Sequence, residues 1–113
     1  MKHEMKLDSK YFDKIKDGTK TIELRLYDEK RSKIKENDII EFTNRDTNKK
    51  LCVQVLKLYR FKNFKELYEC FNKTSIGYNE DEIANPEDMN QFYSKEEQDK
   101  YGVVAIEIKN NTR

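Results

Sequence analysis

The hydrophobic positions along this chain change period several times, and each change marks an element. From His3 to Leu7, Met5 and Leu7 alternate with polar residues, which predicts a short strand. Asp8 or Ser9 then offers a helix N-cap, and Tyr11, Phe12 and Ile15 fall on one helical face. Lys14 and Lys16 suit the last turn of that helix, and Gly18 suits the residue that ends it. The run from Lys20 to Tyr27 alternates again. Ile22, Leu24 and Leu26 point one way, and Thr21, Glu23, Arg25 and Tyr27 the other. A strand with one apolar face and one charged face is predicted there.

A basic loop follows over Asp28–Asn37, carrying Lys30, Arg31, Lys33 and Lys35. Asp38–Thr43 and Leu51–Phe61 read as two strands of a hairpin, joined by the polar turn Asn44–Lys50. In the longer strand Leu51, Val53 and Val55 are odd, whereas Leu56 and Leu58 are even, so a bulge is expected near Val55. Asn63 caps a helix with Glu66 at its third position, and Phe64, Leu67, Tyr68 and Phe71 share its apolar face. Asn85-Pro86 starts a further short helix, Ser94-x-x-Glu97 is a capping box, and Gly102 ends that last helix before a buried strand over Val103–Ile108. Strands and helices mix without strict alternation, so the fold class is α+β, a mainly antiparallel β-barrel of five to six strands with short helices around it.

The composition narrows the functional classes. A length of 113 residues suits one domain spanning positions 1–113, and thirteen aromatics among few hydrophobics still build a core. The net charge is +1, from 23 basic against 22 acidic side chains, so any nucleic-acid site must be a local patch. Cys52 and Cys70 lie in apolar surroundings without ligand-like neighbours and are expected to be buried free thiols of a reducing compartment. No apolar stretch is long enough to span a membrane, and a cytoplasmic location is expected. The residues call for no metal and no cofactor, and His3 has no partner in the sequence that would give it a role.

The densest chemistry lies in Gly18-Thr19-Lys20-Thr21-Ile22-Glu23-Leu24-Arg25. Glu23 and Arg25 share a strand face and can pair. Lys20 has the opposite parity, so the chain is expected to turn at Gly18 and Thr19 and to project Lys20 at the barrel rim. An Arg fork, a Lys charge and a Glu acceptor converging on a pocket suit a phosphate or a base edge. Tyr27 lies on the same face and could stack on a base, and Lys30 and Arg31 could track a phosphate backbone. Tyr59, Tyr78, Tyr93 and Tyr101 are expected to serve core or rim packing.

This stretch resembles the G-x-K-x-x-E-x-R signature of the ASCH family, with Gly18, Lys20, Glu23 and Arg25 matching. Ile34-Lys35-Glu36-Asn37-Asp38-Ile39-Ile40-Glu41-Phe42 resembles the family's I-K-x-G-D-x-I-x-F segment, with Asn37 at the glycine position, and Tyr93–Ile106 resembles its closing helix and strand. The resemblance implies a PUA-like barrel that holds single-stranded RNA or a nucleotide-like small molecule in a cleft lined by Lys20, Glu23 and Arg25. Tyr27, Lys30 and Arg31 join them as ligand-binding candidates from their position beside the motif. It also implies enzymatic alternatives. Some members remove the acetyl group from acetylated cytidine with the motif Lys, a hydroxyl residue three positions on and a separate carboxylate, and another branch is described as cleaving RNA. Lys20 matches that lysine, Glu23 stands at the hydroxyl position, and Glu66, Glu69 and Glu80 are the candidate carboxylates. In an enzyme, Lys20 and Glu23 would be the catalytic pair.

Overall fold

In the computed structural model, which describes residues 1–110, the chain runs β1 (Lys2–Leu7), α1 (Ser9–Lys16), β2 (Ile22–Leu26), α2 (Glu29–Ser32), β3 (Ile39–Asn44), β4 (Lys50–Phe61), α3 (Phe64–Cys70), a 3₁₀ turn (Pro86–Gln91), α4 (Lys95–Tyr101) and β5 (Val103–Asn110). The five strands form one sheet in the order β1-β3-β4-β5-β2. Only the β1–β3 pairing is parallel, and the other three are antiparallel. The sheet curls into a half-barrel, which fits the α+β, mainly antiparallel expectation with five strands.

Both faces of the sheet are covered. Met5, Leu7, Ile40, Phe42, Val53, Val55, Val104 and Ile106 pack inside the curl against Phe12 and Ile15 of α1. Ile22, Leu24, Leu26, Val103 and Ala105 face outward, under Phe64 and Leu67 of α3. A strand buried on both faces explains why Val103, Val104, Ala105 and Ile106 are consecutive apolar residues. The register shift falls between Val55 and Lys57, and Leu56, the extra residue, is exposed. The bulge lets β4 bend so that the sheet can curl.

Asn37 adopts φ 73°, the left-handed conformation for which asparagine is the best substitute for glycine. Gly102 holds φ 70° at the end of α4, where a Cβ would come within 3.1 Å of the Phe61 carbonyl oxygen. Two expectations are corrected. Cys52 and Cys70 are free but exposed: Cys52 alternates with the buried Leu51 and Val53 and therefore faces solvent beside Glu41, and Cys70 is the last residue of α3. The basic stretch after β2 is not all loop, because Asp28 accepts a hydrogen bond from the Arg31 amide and caps the one-turn helix α2.

His3, which the sequence left without a role, is buried, with Nε2 2.8 Å from Asp38 Oδ2. The same carboxylate oxygen accepts from the Lys35 amide at 2.9 Å, tying β1 to the start of β3. The His3 and Lys35 hydrogen bonds hold the Asp38 carboxyl at about 2, below its ordinary 3.8. A depressed acid stabilises the fold fully above its ordinary pKa and loses that contribution as pH falls through the folded value. Asp38→Asn is therefore expected to lower the melting temperature at neutral pH and to flatten the stability profile between pH 3.8 and about 2. Thermal unfolding across that range checks it, and an unchanged acid slope would count against the assignment.

Candidate functional site

The sheet order places β1 and β2 at opposite edges, and the curl brings those edges side by side without joining them by a backbone ladder. Side chains bridge the seam instead. Arg25 Nη2 donates to the Lys6 carbonyl at 3.0 Å, and Lys30 Nζ donates to the Glu4 carbonyl at 2.9 Å. Carbonyls of β1 that point away from β3 thus find partners, and the free edges are blunted by charge. Above the seam, the segment between α3 and α4 folds back over the barrel mouth and leaves a cleft of about 640 Å³.

The floor of the cleft is the signature. Glu23 points away from the α3 side of β2, as its parity predicted, yet it is 3% exposed. Lys20 is also 3% exposed, so it is not at the rim as expected. The turn at Gly18 folds its side chain inward, where Nζ donates to the carbonyls of Ile22 at 2.6 Å and Ile76 at 3.1 Å and lies 3.3 Å from Glu23 Oε1. Three acceptors match the three protons of an ammonium group. Arg25 takes the other oxygen of Glu23, with Nε and Nη2 both 2.8 Å from Oε2. Gly77 packs on this group at φ 116°, where a Cβ would meet the Lys20 stem and the Tyr11 ring at 3.4 Å.

Burial penalises all three charges, but their pKa values move by different routes. Burial raises the Glu23 carboxyl, and Arg25 and Lys20 together outweigh it, so the group stays below the usual carboxylate range. Burial lowers Lys20, and the shared carboxylate only partly opposes this while Arg25 repels it, so its pKa falls below that of an ordinary lysine. Burial acts against Arg25 as well, but Glu23 and the Tyr93 hydroxyl hold it above its ordinary value. One carboxylate thus balances two cations in a nearly dry floor.

Aromatic and charged groups form the walls. Tyr11 of α1 meets Phe92 edge-on at 6.2 Å between ring centroids, and Lys20 lies 5.8 Å from the Tyr11 centroid. Tyr68, Tyr78, Tyr93 and Met89 line the side formed by α3 and the segment between α3 and α4. Lys6, Lys10, Arg31 and Arg45 supply cations, and Asp8, Glu82 and Asp88 supply carboxylates.

Of the six residues singled out in the sequence, the structure brings Lys20, Glu23, Arg25 and Arg31 to the cleft. Tyr27 packs against the inner core, with the Arg60 guanidinium 3.9 Å above its ring, and Lys30 is committed to the seam. Neither lines the cleft. Glu66, Glu69 and Glu80 are exposed and do not line it either. Sequence reasoning missed Lys6, Tyr11, Arg45, Asp88 and Phe92. Tyr11 was legible only as one residue of an apolar helical face, and the Asn85-Pro86 start marked the 3₁₀ turn without showing where it folds back. Among the described residues no group of His, Cys, Asp and Glu side chains could hold a metal, and no helix is long and apolar enough to cross a membrane.

Comparison with known proteins adds a family and two close folds. The ASCH domain family matches residues 5–112. The crystal structure of hypothetical protein PH0355, from Pyrococcus, is 41% identical, covers 97% of this chain and 99% of its own, and superposes with a TM-score of 0.82. The solution structure of protein PF0455 from Pyrococcus furiosus is 36% identical over 100% of both chains, with a TM-score of 0.72. No curated protein matches the chain.

The asymmetry of the floor generates a stability test. Glu23→Gln keeps the shape but leaves two buried cations without a counter-charge, a loss of about 3–5 kcal/mol. Lys20→Met removes one cation, leaves the Glu23–Arg25 pair and frees two carbonyls, a loss of about 1–3 kcal/mol. Urea unfolding of both variants checks the order, and a smaller loss for Glu23→Gln would show that the carboxylate does not hold the group together.

Proposed function

Because the chain belongs to the ASCH domain family, whose members are generally proposed to bind RNA, we propose that the cleft between β1 and β2 binds single-stranded RNA or a nucleotide-like small molecule. The observation that carries this reading is the conjunction of aromatic and cationic side chains around one concavity. Tyr11 and the 42% exposed Phe92 line it as an edge-to-face pair, and Lys6, Lys10, Arg31 and Arg45 line it as well. Stacking on aromatics and attraction to phosphate are the two sequence-tolerant terms of single-strand binding. A volume of about 640 Å³ lies within the range of small-ligand sites and suits one or two nucleotides rather than a long track.

Lys20, Glu23 and Arg25 support the site as its rigid base in this reading. Arg31 stands at the wall, and Lys30 and Tyr27 would meet only a strand that continues beyond the cleft. The enzymatic alternatives, hydrolysis of acetylated cytidine or cleavage of RNA by Lys20 and Glu23, find less support in the geometry. Glu23 is 3% exposed with each oxygen already paired with a cation, and the Lys20 ammonium has three acceptors, so proton exchange with a substrate would first have to break those contacts.

Binding is tested by titrating end-labelled single-stranded RNA and nucleoside monophosphates while following RNA length. Tyr11→Ala is expected to weaken binding about tenfold or more, the size of one lost stacking contact. One or two neutralised phosphates at about 0.7 each give a shallow log–log salt slope of about −1. Tight binding with a much steeper slope that survives Tyr11→Ala would move the site elsewhere, and RNA shortened in a Lys20-dependent way would favour the enzymatic reading.

A further inference from the structure

The charges that line the cleft are not equally available. Lys20, Glu23 and Arg25 satisfy one another. Glu82 accepts from the Asn79 amide at 2.6 Å through Oε1 and lies 3.5 Å from Lys10 Nζ through Oε2, so both its oxygens are engaged. Lys6 and Arg45 are exposed, and Arg45 pairs only with Asp8 among the described residues, at 3.4 Å. Two charged groups are each held in place by one partner and keep further hydrogen-bonding capacity.

The first is Arg31. Asp28 caps α2 with one oxygen and holds Arg31 Nη1 with the other, at 3.0 Å. Arg31 Nε is buried with no hydrogen-bond partner. A guanidinium donates through five N–H groups, and a carboxylate that occupies one of them leaves a fork suited to a second oxyanion. The second is Asp88. Its Oδ2 accepts from the Tyr78 hydroxyl at 2.8 Å, and that hydroxyl lies 3.0 Å from Tyr68 and 3.1 Å from the Asn85 carbonyl. Asp88 Oδ1 accepts no hydrogen bond among the described residues, so an oriented carboxylate oxygen remains open on the lining. Arg31 lies on α2, just after β2, whereas Asp88 lies in the 3₁₀ turn between α3 and α4, so the two come from separate parts of the lining.

An ionised carboxylate accepts hydrogen bonds and repels phosphate, so on a nucleotide it meets a donor. Of the base-edge donors, an exocyclic amine projects beyond the ring and carries two protons, whereas uracil offers only its ring N3–H. We propose that the cleft seats a nucleotide in one orientation, its phosphate on Arg31 and its base edge on Asp88, which selects nucleoside monophosphate units whose base carries an exocyclic amine over uracil. The inference rests on the reading of the cleft as the nucleotide site. The same unit could be a free nucleotide or one residue of an RNA strand.

The test is calorimetric titration with CMP, AMP, UMP, cytidine and a five-residue oligocytidine. In the unmodified protein, CMP and AMP are expected to bind about tenfold tighter than UMP, and CMP about tenfold tighter than cytidine, each the size of one charge-assisted hydrogen bond. Asp88→Asn keeps an oxygen for the Tyr78 hydroxyl and is expected to abolish the preference over UMP alone. Arg31→Gln is expected to abolish the preference over cytidine alone, and Arg31→Lys to restore part of it. Amide spectra establish that each variant is folded. An oligocytidine that binds no tighter than CMP identifies a free nucleotide as the ligand. Tighter binding with both preferences retained identifies RNA. Equal affinity for CMP and UMP, or a preference that survives Asp88→Asn, overturns the orientation while leaving the cleft as the site. Absence of binding by every probe overturns the orientation and the cleft reading together.

Discussion

The Glu23 carboxylate, buried between Lys20 and Arg25, is the interaction on which the rest of this structure depends. A buried ion pair is a poor source of net stability, because desolvation takes back most of what the Coulomb attraction provides. Its value here is geometric. Lys20 ties the start of β2 to the carbonyls of Ile22 and Ile76, so the first turn of the strand and the segment after α3 are fixed to one ammonium group. Arg25 continues the chain of contacts across the seam to the Lys6 carbonyl of β1. One carboxylate therefore sets the position of three pieces of backbone distant in sequence.

The same contacts explain why the cleft lies where it does. A five-stranded sheet of this length leaves two edge strands, and exposed edges invite pairing with other chains. Here the curl turns the edges toward each other, and Arg25 and Lys30 occupy the outward carbonyls of β1. The barrel is closed by side chains rather than by a ladder, and the gap that remains is the cleft. Lys20, Glu23 and Arg25 serve both the seam and the floor, while α1, α3 and the segment between α3 and α4 supply aromatic side chains to the walls.

The charge distribution fits a small, selective ligand better than a long polyanion. A protein with 23 basic and 22 acidic residues has no global attraction for RNA. What it has is a local concentration of cations beside walls that carry four tyrosines, interrupted by carboxylates that a phosphate would avoid. Such a mixture trades affinity for orientation, since each acidic group excludes some poses more strongly than it favours others.

Much of the architecture was legible in the chain. Alternation located β1, β2 and the β3–β4 hairpin, the phase change at Val55 located the bulge, and the caps at Asn63, Asn85 and Ser94 located the later helices, because these signals depend on residues a few positions apart. Parity also put Glu23 and Arg25 on one face. It could not say whether that face is solvent or interior, and so Lys20 was expected at a rim and was found with three buried acceptors. Cys52 and Cys70 were misjudged for the same reason, since burial depends on what lies above a residue and not on its neighbours in sequence. Only the tertiary structure decided that Tyr11, Arg31, Asp88 and Phe92, from three separate segments, face one cleft. Local sequence sets the direction of a side chain relative to its own strand or helix, and the closing of the sheet sets what that direction meets.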